Sequence, residues 1–575
     1  MKKFLLGVLA GFIVAGVTAV VLIFAAVRFT KTEPKIPAKA WLSLKLQGEM
    51  PEVAAPEAPF PGLSGQSPLT VADVWRILDT AATDPAIKGV MLEPRGLAAG
   101  WGKMEEIRAG IRKVRRAGKP VHAWLASPGT REYLVASAAE KVALSPEDLL
   151  DVKGLRLEAM YFKGALDKLG VQFEVEHIGK YKDAADPFSR SSMTPETRES
   201  LNSILDELYS RLCTLIGESR KMTPSQVVAL LDEGPFLAPK ARDKGLVDAL
   251  QYEKDAVAAL AKAAGLSPED KVDARDYLAA RRGSRRKAAR FAVLAAQGDI
   301  LRGSVGGVFG EDQTITPAGI SRQIRAISNN PRVRGVVLRV DSPGGDAIAS
   351  DEILADLKQL AAKKPLVISM SDVAASGGYY ISMTGDPVVA YPGTITGSIG
   401  VVYGKANLEG FYNKLGISTE ILKRGRFADI DSGSRPLTPE AREKLRESLR
   451  FIYDGFLKRV GEGRRKAAAE IEPVAQGRVW MGAQAKANGL IDETGTLDTA
   501  IALLRKKAKL EGPDVQIDLD IYPRQKSWFE LLMARELEAS APPEVSSLLR
   551  TLGPGVAPWL EGGMLRVMPF QLRFR

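Results

Sequence analysis

Asp84-Pro85-Ala86-Ile87-Lys88-Gly89-Val90-Met91-Leu92 returns later in the chain as Asn330-Pro331-Arg332-Val333-Arg334-Gly335-Val336-Val337-Leu338. An offset of about 245 residues also relates Gly118-Lys119-Pro120-Val121 to Lys363-Lys364-Pro365-Leu366, Met193-Thr194-Pro195-Glu196 to Leu437-Thr438-Pro439-Glu440, and Ala241-Arg242-Asp243-Lys244-Gly245-Leu246-Val247-Asp248 to Ala485-Lys486-Ala487-Asn488-Gly489-Leu490-Ile491-Asp492. One register held over four separate segments is a duplication. In each copy short β-branched runs alternate with amphipathic helices, predicted at 103–117 and 350–362, and that alternation makes a parallel α/β unit with crossover helices. The Thr-Pro-Glu sequences at 194–196 and 438–440 read as an N-cap, a proline at the first helical position and an acid in the first turn. Long helices are predicted after them, over 195–219 and 439–462.

The rest of the chain is read around these copies. At 575 residues it is too long for one core. A composition of 45% apolar and 26% charged residues is that of a folded protein. The net charge of +11 is scattered. Its densest run, Arg281-Arg282-Gly283-Ser284-Arg285-Arg286-Lys287, reads as a solvated linker between copies, and no nucleic-acid recognition motif accompanies it. The single cysteine, Cys213, has no intramolecular partner and reads as a buried apolar residue in a helix. From Phe4 to Val27 no residue is charged, and Lys2-Lys3 and Arg28 flank the run. That length spans a bilayer as a helix and exceeds the apolar region of a cleaved signal peptide, so it reads as an uncleaved anchor. Basic residues lie on both sides of it, so charge alone does not orient it. A Pro-rich stretch, 51–68, follows as a loop. These readings divide the chain into a flank (1–3), the anchor (4–27), a juxtamembrane segment with a first strand and the Pro-rich loop (28–70), a first repeat (71–285), a second repeat (286–512) and a C-terminal extension (513–575). In the extension, apolar residues interleaved with arginine, as in Met564-Leu565-Arg566-Val567, suit either a membrane surface or packing on the chain's own domain.

Two glycine-rich turns carry the chemistry. Asp341-Ser342-Pro343-Gly344-Gly345 closes one β-rich run, and Ala374-Ala375-Ser376-Gly377-Gly378 closes the next. Glycines let a backbone approach a substrate carbonyl, and amides at such turns stabilise an oxyanion beside a serine nucleophile. The nucleophile needs a base. The only histidines, His122 and His177, both lie in the first copy. His122 reads as structural, and His177 leaves a Ser-His-Asp triad open. The other candidate is a lysine whose burial disfavours the ammonium. The first copy offers Lys180 and Lys182 in Gly179-Lys180-Tyr181-Lys182-Asp183, where the second has Gly425-Arg426-Phe427-Ala428-Asp429. Conversely, Ser376-Gly377-Gly378 faces Thr130-Arg131-Glu132, and Gly344-Gly345 faces Ala98-Ala99. Each copy lacks what the other has, so one site per chain would join Lys182 to Ser376.

These turns, with Thr396-Gly397-Ser398-Ile399-Gly400, the Tyr181-Lys182 pair followed by Pro187-Phe188, and Ala485-Lys486-Ala487-Asn488-Gly489-Leu490, closely resemble the signal peptide peptidase A (protease IV) family in its long, duplicated form. The resemblance runs from the anchor to about residue 510. It implies tandem crotonase/Clp-protease-like α/β domains after an N-terminal transmembrane helix, and a Ser-Lys dyad with no cofactor and no metal. Ser376 would be the nucleophile and Lys182, favoured over Lys180 by the Tyr-Lys register, the base. The amides of Gly344, Gly345 and Gly377 would form the oxyanion hole, and Ser398 would orient the lysine amine. The resemblance further implies a homotetramer in the bacterial inner membrane, facing the extracytoplasmic side, that cleaves released signal peptides and other apolar peptides. A crotonase-type acyl-CoA hydratase or isomerase, and a non-enzymatic membrane scaffold, are the competing classes.

Overall fold

The computed structural model describes residues 34–54, 67–281, 288–303, 314–512, 515–524 and, for backbone only, 563–567. The expected anchor at 4–27, most of the Pro-rich loop and most of the basic linker lie outside the described residues. Among the described residues no helix is long and apolar enough to cross a membrane.

The first repeat contains β1 (Ala40–Gly48), α1 (Val71–Thr83), β2 (Ile87–Leu97), α2 (Trp101–Arg116), β3 (Val121–Leu125), α3 (Thr130–Ala136), β4 (Lys141–Leu144), β5 (Gln172–Ile178), α4 (Pro195–Arg220), β6 (Ala249–Leu250) and β7 (Lys271–Asp273). Its parallel sheet has the order β6-β4-β3-β2-β1-β7, with β5 left out. The second repeat contains β8 (Ala289–Gln297), β9 (Asp299–Ile300), β10 (Thr314–Ile315), β11 (Val333–Ser342), β12 (Gly344–Asp346), α5 (Ala347–Lys363), β13 (Leu366–Ala375), α6 (Gly377–Ile381), β14 (Ile395–Gly397), β15 (Val401–Asn407), α7 (Pro439–Arg464), β16 (Val479–Met481), α8 (Leu497–Lys507) and β17 (Ile517–Tyr522). Its main sheet runs β16-β14-β13-β11-β8-β17.

The repeats match in detail. Thr194 and Thr438 each cap a 26-residue helix that opens on proline and ends on a left-handed residue, Lys221 or Arg465. Tyr133 Oη donates to the Leu246 carbonyl (2.8 Å), and Tyr379 Oη donates to that of Leu490 (2.7 Å). Gly89 and Gly335 hold matching places where a helix leucine lies against the sheet. A Cβ on Gly335 would stand 2.9 Å from Leu504, and one on Gly89 would stand 3.2 Å from Leu260. The match also runs beyond residue 512, where the second repeat was expected to end. β17 pairs parallel with β8 as β7 pairs with β1. The second repeat's sheet therefore takes in the first residues of the predicted C-terminal extension.

A third sheet belongs to neither repeat alone. Its order is β10-β9-β12-β18-β15-β5, where β18 is Gly563–Val567. β5 leaves the first repeat and pairs antiparallel with β15 of the second along its whole length, from Gln172 opposite Asn407 to Ile178 opposite Val401. Two carboxylates on β5 hold the junction. Glu174 accepts from Arg442 and Glu176 from both Arg442 and Arg446, all on α7.

Candidate active site

Ser376 ends β13 and precedes the short helix α6. Its backbone has φ 53° and ψ −114°, a conformation that costs a non-glycine residue energy and is kept where surrounding structure enforces it. The Ser376 amide donates to the Gly397 carbonyl (2.8 Å) and its carbonyl accepts from Tyr380 N–H (2.8 Å), so both sides of the turn are tied. Gly377 must be glycine here. A Cβ would lie 2.8 Å from Ser350 Oγ, 3.1 Å from Gly344 Cα and 3.2 Å from Gly345 N. The two glycine turns read from the sequence are thus packed against each other.

Lys182 arrives from the other repeat, just beyond β5. Its Nζ lies 2.9 Å from Ser376 Oγ, 3.0 Å from Ser398 Oγ and 3.1 Å from the Ser398 carbonyl oxygen. All three residues are essentially inaccessible to solvent. The three oxygens are uncharged, and they hold the amine aimed at the serine hydroxyl. Ser398 also has a positive φ, 52°, and its amide donates to the Arg478 carbonyl (2.8 Å).

Sequence reading missed how the lysine is placed. The 179–182 turn lies on the backbone of Gln476-Gly477 of the second repeat. Tyr181 N–H donates to the Gln476 carbonyl (2.9 Å), and a Cβ on Gly477 would stand 2.6 Å from Lys182 N. Arg478 lies over the Tyr181 ring at 5.1 Å and donates to Glu199 at 2.7 Å, and Glu199 also accepts from Tyr181 Oη at 3.1 Å. The one legible signal was the pair of glycines, Gly179 and Gly477, both at positive φ.

The remaining candidates separate cleanly. Lys180 is exposed, its ammonium 4.9 Å from the Tyr181 ring centre. His177 is exposed on β5, with Nδ1 3.0 Å from the Gly179 carbonyl, and His122 is half-buried in β3. Neither histidine is bonded to Ser376 in the described contacts. Gly344 N–H donates to Ser342 Oγ (3.1 Å), an engagement the sequence did not reveal. Cys213 is buried in α4, as expected. No group of three or more His, Cys, Asp or Glu among the described residues is placed to hold a metal ion.

The equivalent turn of the first repeat is filled. Glu132 stands where the second repeat has Gly378. Its carboxylate accepts from the amides of Leu97 (2.6 Å) and Gly129 (3.0 Å), and Thr130 stands in the place of Ser376. A carboxylate bonded to the amides of these two turns bars that position to another anion.

The first repeat supports the second repeat's turns through Lys103. Its Nζ donates to Asp341 Oδ2 (2.6 Å) and lies 3.5 Å from Asp372. Asp341 begins the Gly344-Gly345 turn, and Asp372 is four residues before Ser376. Helix α2 has no capping side chain of its own at Gly100, and Asp372 accepts from the Gly100 (3.0 Å) and Lys103 (2.9 Å) amides instead. Helix α5, its counterpart, is capped locally by Asp346. Burial works against the Lys103 ammonium, but Asp341 and Asp372 outweigh it and hold its pKa above the ordinary lysine value. Breaking a buried pair leaves an uncompensated charge. Lys103→Met is therefore expected to lower unfolding free energy by about 3–5 kcal/mol, and Lys103→Arg by less. Denaturant titration measures both, and a loss under about 1 kcal/mol in the Met variant would discard the clamp.

Asp183, next to Lys182, is buried. Its Oδ2 accepts from Thr197 Oγ1 and its Oδ1 has no hydrogen-bond partner. Burial, aided by Asp186, pushes its carboxyl up to about 7. The folded state therefore keeps a proton between the ordinary aspartate range and pH 7 that the unfolded chain has lost. Stability from this group declines as pH rises through that window and levels off above it. Asp183→Asn is expected to gain roughly 2–3 kcal/mol on wild type between pH 5 and pH 8. Unfolding curves of both chains at the two pH values check this, and a pH-independent difference contradicts it.

Residues 113–267 and 358–511 match Peptidase family S49, one match in each repeat. The chain is 34% identical to Serine protease SPPA, chloroplastic, of Arabidopsis thaliana over 75% of its own length and 64% of that protein's, so it spans just under two thirds of that relative. It is 34% identical to Protease 4 of Salmonella typhi over 80% of its length and 75% of that protein's. It is 33% identical to a Putative signal peptide peptidase SppA of Enterococcus faecium over 40% of its length and 68% of that protein's.

Proposed function

The chain belongs to peptidase family S49, a family of serine endopeptidases, and from that premise we propose that it hydrolyses peptides with Ser376 as nucleophile and Lys182 as general base. The observation that carries this is the 2.9 Å contact between Lys182 Nζ and Ser376 Oγ in a water-excluded site to which each repeat contributes one partner. The amine form of Lys182 takes the Oγ proton as Oγ attacks the scissile carbonyl. The same group then protonates the leaving amine, and water hydrolyses the acyl-enzyme. Ser398 orients the amine through two oxygens. The amides of Gly345 and Gly377 receive the oxyanion, since that of Gly344 is committed to Ser342.

The substrates are released signal peptides and other apolar peptides, a reading supported by the name of the Enterococcus relative and by the uncharged 4–27 run. That run anchors a homotetramer in the bacterial inner membrane with its catalytic part extracytoplasmic. No cofactor enters the mechanism. A fluorophosphonate probe tests it: the wild-type chain labels at Ser376 and cleaves an apolar reporter peptide. Turnover of a CoA thioester by a chain that does not label would replace the peptidase with a hydratase.

A further inference from the structure

β13 does not run evenly into the nucleophile. Val336 to Val340 on β11 pair one for one with Leu366 to Met370, but the next pair is Ser342 with Ala374. Asp341 alone therefore stands opposite Ser371, Asp372 and Val373. A bulge of this kind re-aims the side chains beyond it. Carried onward, the register past the bulge sets Ser376 level with Gly344, where an even ladder would set Ala374. The first repeat is built differently here. The carbonyls of Pro120 and Pro365 accept from the Val90 and Val336 amides, and Tyr133 and Tyr379 reach matching leucines, so both ends of the stretch correspond. Pro120 and Tyr133 are 13 residues apart, whereas Pro365 and Tyr379 are 14 apart. The copy with the nucleophile is longer by one residue, and its Ser371 and Asp372 stand where the other copy has Leu125 and Ala126.

Two groups from outside the second repeat hold this bulge. Lys103 and its helix hold Asp372, as described above. Glu52, from the stretch that reads in sequence as a Pro-rich loop, holds Ser371. Its Oε1 accepts from Ser371 Oγ and from Arg339 Nη2 (3.0 Å). Arg339 lies on β11 two residues before Asp341, and it also donates to Ser371 Oγ (3.0 Å). The Glu52 and Val53 amides donate to Gln297 Oε1 (2.7 and 3.3 Å), and Gln297 is the β8 partner of Asp341. Glu52, Arg339 and Ser371 are all buried. Burial works against the Glu52 carboxylate, but Arg339 and Lys103 outweigh it and hold its pKa below the ordinary glutamate value. One carboxylate oxygen is thus bonded at once to β11 and to β13, at the point where their ladder breaks.

We propose that Glu52 is a positioning residue for peptide hydrolysis: with Arg339 it fixes the Ser371–Val373 bulge, and the bulge sets Ser376 against the glycine amides. The inference rests on the reading of Ser376 as the nucleophile. Glu52 touches neither substrate nor the reacting atoms. Its effect falls on the alignment of Oγ with the oxyanion donors, so it belongs to kcat and leaves KM unchanged.

Two pairs of full-length variants test this. Glu52→Ala removes both bonds to Oε1, and a misplaced nucleophile is expected to lower kcat, and the rate of fluorophosphonate labelling at Ser376, by about 100-fold. Glu52→Gln keeps Oε1 and with it both bonds, and is expected to bring both rates back to within about threefold of wild type. Each change removes the charge against which Arg339 is buried, so each lowers the denaturant midpoint, and stability alone does not separate them. The second pair stays informative if the alanine variant fails to fold. Ser371→Ala and Ser369→Ala each delete one hydroxyl bonded to Arg339, but Ser369 lies in the evenly paired part of β13. Ser371→Ala is expected to lower kcat about tenfold and Ser369→Ala to leave it within about twofold. Equal kcat in Glu52→Ala and Glu52→Gln, or in the two serine variants, would overturn the positioning role. Labelling of the wild-type chain at a residue other than Ser376 would instead remove the nucleophile assignment on which the inference stands.

Discussion

Ser376→Ala lowers kcat for peptide hydrolysis by roughly four to six orders of magnitude, while the chain stays folded. The change removes only Oγ. The backbone at φ 53° is held by the Gly397 and Tyr380 hydrogen bonds, which alanine retains, so about 1 kcal/mol of added strain is the expected cost to stability. What the variant loses is the covalent step. Substrate still reaches the glycine amides, so KM changes little and the residual rate is that of positioning and oxyanion stabilisation alone. Steady-state hydrolysis of a quenched peptide, with thermal unfolding measured in parallel, decides the matter. A variant retaining a tenth of wild-type turnover would rule Ser376 out as nucleophile.

Lys182→Met is expected to cost roughly three to four orders of magnitude in kcat, near the upper end for loss of a general base. Methionine fills nearly the same buried volume. The hydroxyls of Ser376 and Ser398, each about 3 Å from the lost amine, can then bond to each other or to neighbouring carbonyls. Unlike Lys103, whose ammonium pairs with two carboxylates, Lys182 bonds hydroxyl and carbonyl oxygens, so its exchange for an apolar side chain of like size breaks no salt bridge and the activity loss comes without unfolding. Lys180→Met serves as the contrast. Lys180 is exposed beside Tyr181, and its removal leaves kcat within about twofold. Equal losses in the two variants would show that the 179–182 turn, rather than the Lys182 amine, is what matters.

Much of this was legible in the residues, for physical reasons that differ by element. Strands such as Val333–Ser342 and capped helices such as Pro439–Arg464 are specified locally, by β-branched runs and by Thr-Pro-Glu starts. Ser376 showed itself because the backbone around it must be glycine. Lys182 showed itself by comparison with Ala428 in the other copy and, against Lys180, by the Tyr-Lys register of the family the chain resembles. Lys103 did not. In sequence it sits on an ordinary amphipathic helix, and its burial depends on Asp341 and Asp372, more than two hundred residues away. Glu132 likewise reads as a helical surface acid until the amides of Leu97 and Gly129 are found on it. Nor does anything local in 563–567 mark a strand, because the partners that make it one come from β12 and β15. Local signals reach as far as local causes, and the parts missed are those joined across the two copies.

The crossing of β5 into the second repeat has a consequence in time. Lys182 leaves the ribosome well before Ser376, and it is seated only when Gln476 and Gly477 have followed. At roughly 5–20 residues per second, the roughly 300 residues between Lys182 and Gly477 take about 15–60 s to make. Throughout that interval the nascent chain carries no working protease. A hazardous activity is withheld until synthesis is nearly complete, with no separate inhibitor required during that period.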